Sequence, residues 1–170
     1  GQTGKLAASE GGTLFLDEVA EMAPAAQAAL LRFLEDGTYY RVGEHVERQA
    51  DVRLVAATSC DMPARVAEGR FRADLYYRLR GVTIRLPALR ERCDRVELAG
   101  VLVARLAARH GRTVPLGMSA AAVRWIQEHD WPGNVRELRT ALEYALVLSE
   151  DSPRIELWHL PAEESAARPA

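Results

Sequence analysis

Cysteine is scarce in this chain: Cys60 and Cys93 are the only two in 170 residues. They fall in no CxxC and in no Cys/His spacing that suits a metal. That excludes a disulfide framework and a zinc site, and reads as two reduced thiols in a cytoplasmic protein. Long apolar runs are also lacking, so no segment is fit to span a membrane, and no signal peptide is visible. Neither sign of charge dominates. The formal net charge of −2 gives no global pull toward nucleic acid or a membrane surface. There is no internal repeat and no initiator methionine, and the chain opens inside what reads as a motif, as a fragment would. What is present is a globular balance, 48% hydrophobic and 27% charged, enough for one good-sized domain or a domain with a small satellite.

The pattern along the chain alternates before it becomes helical. Thr13 to Leu16 is a short apolar run entered through Gly11-Gly12 and ended by Asp17-Glu18, which suits a strand buried on both faces. "MAPAAQAALLRFLEDG" carries Ala26, Ala29, Leu30, Phe33 and Leu34 at helical spacing and stops at Gly37. "TYYRVGEHVERQ" reads as a hairpin turning at Gly43-Glu44, and "DVRLVAAT" as a second buried strand ending at Thr58-Ser59. From Ala64 the pattern is helical through "FRADLYYRL", with Phe71, Leu75 and Leu79 on one face. "GVTIRLP" is expected to be a third core strand closed by Pro87. Helices are then expected over Val96–Arg109, Ser119–His129 and Asn134–Ser149, and "AEESAARPA" reads as a tail. The fold class is therefore α/β with an all-helical appendix. The expected division is a core over 1–90, a helical subdomain over 91–161 and a tail or linker over 162–170.

Two stretches hint at phosphate chemistry, and they differ in weight. "GQTGK" has the glycines and lysine of a phosphate loop, but Leu6 stands where a Ser or Thr should bind Mg²⁺. The next acidic strand end, Asp17, follows too soon for a helix and a strand to intervene, so this stretch reads as the entry to a short helical turn, "KLAAS". "GGTLFLDEV" is stronger. A strand that delivers two adjacent carboxylates at its C-terminal end puts them where ligands of open α/β sheets bind. Asp17 and Glu18 point to opposite faces, so one can bind Mg²⁺ while the other polarises an attacking water. The plain alternative is a strand ending in solvent. In "WPGNVREL", Asn134 and Glu137 suggest a capping box that starts the last helix. Arg136 then sits in the first turn, against the helix dipole, which suggests an anion nearby or an exposed arginine simply tolerated there.

"GGTLFLDEV", "LLRFLEDGTYYRVG", "DVRLVAAT", "GRFRADLYYRL", "LPALRER" and "WPGNVREL" together resemble the AAA+ domains of bacterial sigma-54-dependent (NtrC-type) transcription activators, in order and spacing from about Gly4 to Pro161. The resemblance implies a partial AAA+ P-loop NTPase sheet of three core strands plus a hairpin, followed by a helical lid. It implies ATP hydrolysis with Mg²⁺ in a homo-oligomeric ring, a hexamer in the family, that remodels RNA polymerase bound by sigma-54. Carried over, Asp17 positions Mg²⁺ and Glu18 activates water, both as catalytic residues. Thr58 is the first nucleotide sensor, with Ser59 where the family often has Asn. Arg72 and Arg78 are arginine fingers, although Asp74 and Arg78 could equally form an i, i+4 surface salt bridge. Arg136 is the second sensor.

The chain holds no Walker A loop and no "GAFTGA" loop to meet sigma-54, and no helix-turn-helix to read promoter-upstream DNA. In the family the first strand lies between the fourth and fifth, so these residues should leave a gap and an exposed edge in the sheet. The 170 residues alone are expected to bind ATP weakly or not at all and not to hydrolyse it. The competing reading is a non-catalytic AAA+ relic that serves as an interaction or regulatory domain.

Overall fold

The computed structural model describes residues 4–41, 43–111, 117–149 and 152–161. The chain divides into two compact units, Gly1–Ile84 and Arg85–Ala170. Among the described residues no helix is long and apolar enough to cross a membrane.

The first unit opens with α1 (Lys5–Ala8), a single helical turn where the sequence suggests one, and continues into β1 (Thr13–Leu16). A 3-10 turn at Val19–Glu21 leads to α2 (Pro24–Asp36). Proline early in the first turn of α2 fixes a helical φ without losing a needed donor. Gly37, at φ 69°, closes the other end in the left-handed region, its N–H donating to the Phe33 carbonyl at 2.9 Å. β2 (Thr38–Tyr40) and β3 (Glu47–Gln49) form the expected antiparallel hairpin, with Tyr39 opposite Arg48. β4 (Arg53–Ala56) then pairs with β1 in parallel, Thr13 opposite Arg53 and Leu16 opposite Ala56. The expected helix from Ala64 is two helices, α3 (Met62–Ala67) and α4 (Ala73–Leu79). Asp61 starts the former by accepting the Ala64 N–H. Val19, Leu30, Phe33, Phe71 and Leu75 make the core of this unit, where α2 packs on α4 and β2. Phe71 and Leu75 are sealed from solvent, each worth roughly 1.5–3 kcal/mol of burial.

Two expectations about strands are corrected here. β1 and β4 are not buried on both faces. Leu14, Leu16 and Leu54 are partly covered, while Phe15 is 58% exposed and Val55 40%. Helices of this chain cover one side of the sheet and leave the other bare, so an apolar run that looks two-sided is covered on one. "GVTIRLP" does not form the third core strand. Residues 82–86 join no sheet, and Val82 (92%), Ile84 (79%) and Leu86 (84%) are open to solvent. A strand needs a neighbour for its backbone N–H and C=O groups, and no strand among the described residues lies beside these. The parallel sheet therefore has two strands, within an α/β class that otherwise stands.

The second unit begins with a 3-10 turn at Leu89–Glu91 and contains α5 (Arg95–Arg109), α6 (Ala120–Glu128) and α7 (Asn134–Leu148). Ser119 caps α6 by accepting the Ala122 N–H. Val103 and Leu106 of α5, Ile126 of α6, and Leu138, Leu142 and Leu146 of α7 share one core with Trp131. Trp131 is fully buried and its indole N–H donates to the Ile126 carbonyl at 2.9 Å, which satisfies its one polar atom. The unit is helical apart from β5 (Gly117–Met118) and β6 (Arg154–Ile155), a short parallel pair.

Candidate nucleotide-hydrolysis site

Asp17 follows the last residue of β1, and the chain then reverses at Glu18, whose backbone is left-handed at φ 49° and ψ 50°. For a residue with a Cβ that conformation costs about 1–2 kcal/mol. Several contacts offset it. The Asp17 carboxylate accepts the Glu18 N–H at 3.1 Å. Backbone bonds from Ala57 N–H to Leu16 and from Val19 N–H to Ala57 stitch the ends of β1 and β4 together. The Glu18 carboxylate is thereby turned onto the end of β4. It accepts the Ser59 N–H at 3.1 Å and the Ser59 hydroxyl at 3.0 Å, with the Thr58 hydroxyl at 3.5 Å. Thr58 Oγ1 also accepts the Cys60 N–H at 3.1 Å. Asp17, Glu18, Thr58 and Ser59 thus form one cluster at the C-terminal end of the parallel pair. Serine at position 59 keeps a hydroxyl on the acid, and its backbone contributes as well.

Asp17 is exposed, and one of its oxygens has no hydrogen-bond partner among the described residues. That suits a Mg²⁺ site, because Mg²⁺ keeps most of its waters and takes one or two carboxylates beside a substrate phosphate. No cage of three or more metal ligands occurs among the described residues.

Arg72 stands just before α4 and Arg78 lies in its last turn. Arg72 is the residue before its first turn, with an extended backbone, and its guanidinium grips Asp74 with two bonds, 3.0 and 2.7 Å. The hydrogen bond to this carboxylate raises the Arg72 pKa, with the charge of Asp74 adding to it. In return the bond from Arg72 lowers that of Asp74 below the usual carboxylate range. The expected alternative, Asp74 with Arg78, does not form. Arg78 instead reaches the Leu34 carbonyl near the end of α2, at 3.3–3.4 Å.

Arg136 lies in the first turn of α7, as the sequence implies, with its side chain exposed and no hydrogen bond or ion pair from its guanidinium among the described residues. The capping arrangement is shifted from the expected one. Glu137 Oε2 accepts the N–H of Gly133, not Asn134, at 2.7 Å. Asn134, at φ 54°, uses its side-chain oxygen to accept the Leu89 N–H at 2.8 Å. The other Glu137 oxygen meets His129 Nε2 at 3.0 Å. Arg92 pairs with Asp94 in the "LRERCDR" cluster, and Arg95 donates to the Gln127 carbonyl at the end of α6.

Sequence reasoning missed Gln27. It is 1% exposed in α2, and its amide binds Met22, Arg70 and Arg72 backbone groups. The available signal was a glutamine three residues before Leu30, on the buried stripe.

With this geometry in view, the matches to known proteins fall on both units. Residues 1–85 match the family described as Sigma-54 interaction domain, and residues 90–170 the AAA+ ATPase lid domain. The chain is 47% identical over 149 residues to the Nif-specific regulatory protein of Azotobacter vinelandii, covering 87% of this chain and 28% of that protein. It is 47% identical over 146 residues to the alginate biosynthesis transcriptional regulatory protein AlgB of Pseudomonas aeruginosa, covering 85% and 32%. NtrX of Brucella abortus, solved in complex with ATP, matches with a TM-score of 0.90 at 35% identity, over 99% of this chain and 39% of that one. The chain therefore spans well under half the length of these relatives.

Proposed function

The chain belongs to the sigma-54-dependent activator family, as a sigma-54 interaction domain followed by an AAA+ lid, and from this we propose that it is the catalytic portion of an ATP-driven transcription activator. The full-length protein hydrolyses ATP in a homo-oligomeric ring, hexameric in keeping with the family resemblance. It uses the energy to remodel sigma-54 RNA polymerase in the cytoplasm, and meets promoter-upstream DNA through a domain outside these residues.

The single observation that carries the proposal is Glu18 turned by a left-handed backbone onto Ser59 and Thr58. A carboxylate at the crest of a parallel strand accepts a proton from water as the water oxygen bonds to the γ-phosphorus. The bond from that phosphorus to the β–γ bridging oxygen breaks, leaving ADP and phosphate. The hydroxyls of Thr58 and Ser59 hold Glu18 until a γ-phosphate competes for them, which makes the pair a sensor of the nucleotide. Asp17 would hold Mg²⁺, whose chemistry is to neutralise charge on the phosphates. Arg72 and Arg78 are fingers for the neighbouring subunit, planar cations that offset charge on the transferred phosphoryl group. Arg136 is the second nucleotide sensor, the role the family resemblance implies. Support for that role is its cation at the positive end of α7, without a hydrogen bond or ion pair among the described residues.

The test is Glu18→Gln in the full-length protein. ATP binding persists and the rate of hydrolysis falls about 10²–10⁴-fold, the usual contribution of a positioned base. Hydrolysis at the parent rate would refute the proposal.

A further inference from the structure

Gln27 is the buried residue of the first unit whose side chain serves the backbone of two other segments. Its Nε2 donates to the Met22 carbonyl at 2.8 Å and to the Arg70 carbonyl at 3.1 Å, and its Oε1 accepts the Arg72 N–H at 2.9 Å. Both amide hydrogens and the amide oxygen are thus engaged. A leucine of similar volume would fill the same space, but it would leave two carbonyls and one N–H without partners in a buried place. The destinations carry the meaning. Met22 closes the 3-10 turn that begins at Val19, directly after Glu18. Arg70 and Arg72 bracket the buried Phe71, and Arg72 precedes α4 with no cap from its own side chain. One amide therefore ties the segment leaving the acidic pair to the segment that presents Arg72.

We propose that Gln27 is a positioning residue for Arg72: its amide oxygen holds the Arg72 N–H and so sets where the guanidinium stands. The inference rests on Arg72 acting as a finger. A finger acts only if its fork meets the phosphate within a few tenths of an ångström, and a misplacement of about 1 Å costs on the order of 10²-fold in rate. Because the finger serves the neighbouring subunit, a loosened Gln27 harms the next site around the ring and spares its own. That separates a positioning role from a merely structural one.

The test uses the full-length protein with Gln27→Met, which keeps the volume and removes all three bonds. Expected are a kcat for ATP hydrolysis lowered about 10–100-fold, a KM for ATP within about 2-fold of the parent, and recovery when the variant is mixed with Glu18→Gln subunits. In such rings the Glu18→Gln subunit brings an intact Arg72 to the intact site of its neighbour. Arg72→Ala mixed with Glu18→Gln is the control. Recovery for Arg72→Ala without recovery for Gln27→Met overturns the inference and leaves the finger standing. Parent activity in Gln27→Met does the same. Parent activity in Arg72→Ala overturns the finger reading and this inference with it. Should Gln27→Met fail to assemble, Gln27→Glu keeps the acceptor for the Arg72 N–H and loses only donors; its kcat should stay nearer to the parent than to Arg72→Ala, and a loss as large as that of Arg72→Ala overturns the inference.

Discussion

Replacing Glu137 with alanine tests how α7 is started. The carboxylate accepts the Gly133 N–H at 2.7 Å and meets His129 at 3.0 Å, with 31% of the side chain exposed. It also lies in the first turn of α7, where a negative charge complements the helix dipole. A lost N-terminal cap costs about 1 kcal/mol. The dipole contributes another 0.3–1 kcal/mol or so, and a partly exposed pair with His129 no more than about 1 kcal/mol. Together that is about 1.3–3 kcal/mol. At roughly 2–4 °C per kcal/mol for a chain of this size, Glu137→Ala lowers the melting temperature by about 3–12 °C. Circular dichroism at neutral pH measures this directly. Glu137→Gln keeps an acceptor for Gly133 and loses only the charge, so it falls between the two. If Glu137→Ala melts with the parent, the shifted cap and its placement of Arg136 are wrong.

The remaining expectations follow from single contacts. Asp74 has a lowered pKa when folded, so its pairing with Arg72 adds stability above the unfolded value of about 3.9 and loses it as pH falls through the folded value. The melting difference between parent and Asp74→Asn should thus be present at pH 7 and shrink at pH values below the ordinary carboxylate range; a constant difference refutes the pairing. Leu75 is fully buried and Ile84 is 79% exposed. Leu75→Ala should cost about 2–5 kcal/mol in urea unfolding of this chain, and Ile84→Ser less than about 0.5 kcal/mol. A comparable cost at Ile84 would mean that residues 82–86 do pair in a sheet.

Signals carried by neighbours in the chain were legible before any coordinates. The glycine closing α2 and the acidic end of β1 each act within one helical turn or one strand. The cluster of Asp17, Glu18, Thr58 and Ser59 was legible because both strand ends carry polar residues after apolar runs. The route by which Glu18 reaches Ser59, a left-handed backbone at a glutamate, has no signature in residue type. The alternative Asp74–Arg78 pair, at i, i+4 within α4, does not form because Arg72 takes the Asp74 carboxylate with two bonds while Arg78 reaches the Leu34 carbonyl. Arg72 precedes the first turn of α4, where an extended backbone lets its side chain fold forward over Asp74.

The amino-acid order alone determined the helices α2, α5, α6 and α7, the strands β1 to β4, where the two acids fall, and that a helical unit follows an α/β one. These depend on periodicity and on end residues, which act over a few positions. Tertiary structure alone decided which face of β1 is covered, that residues 82–86 find no strand beside them, that Asn134 binds Leu89, and that Gln27 joins Met22 to Arg72. A hydrogen-bond partner tens of residues away is selected by how whole elements pack, and burial of a polar group is tolerated only where packing delivers that partner.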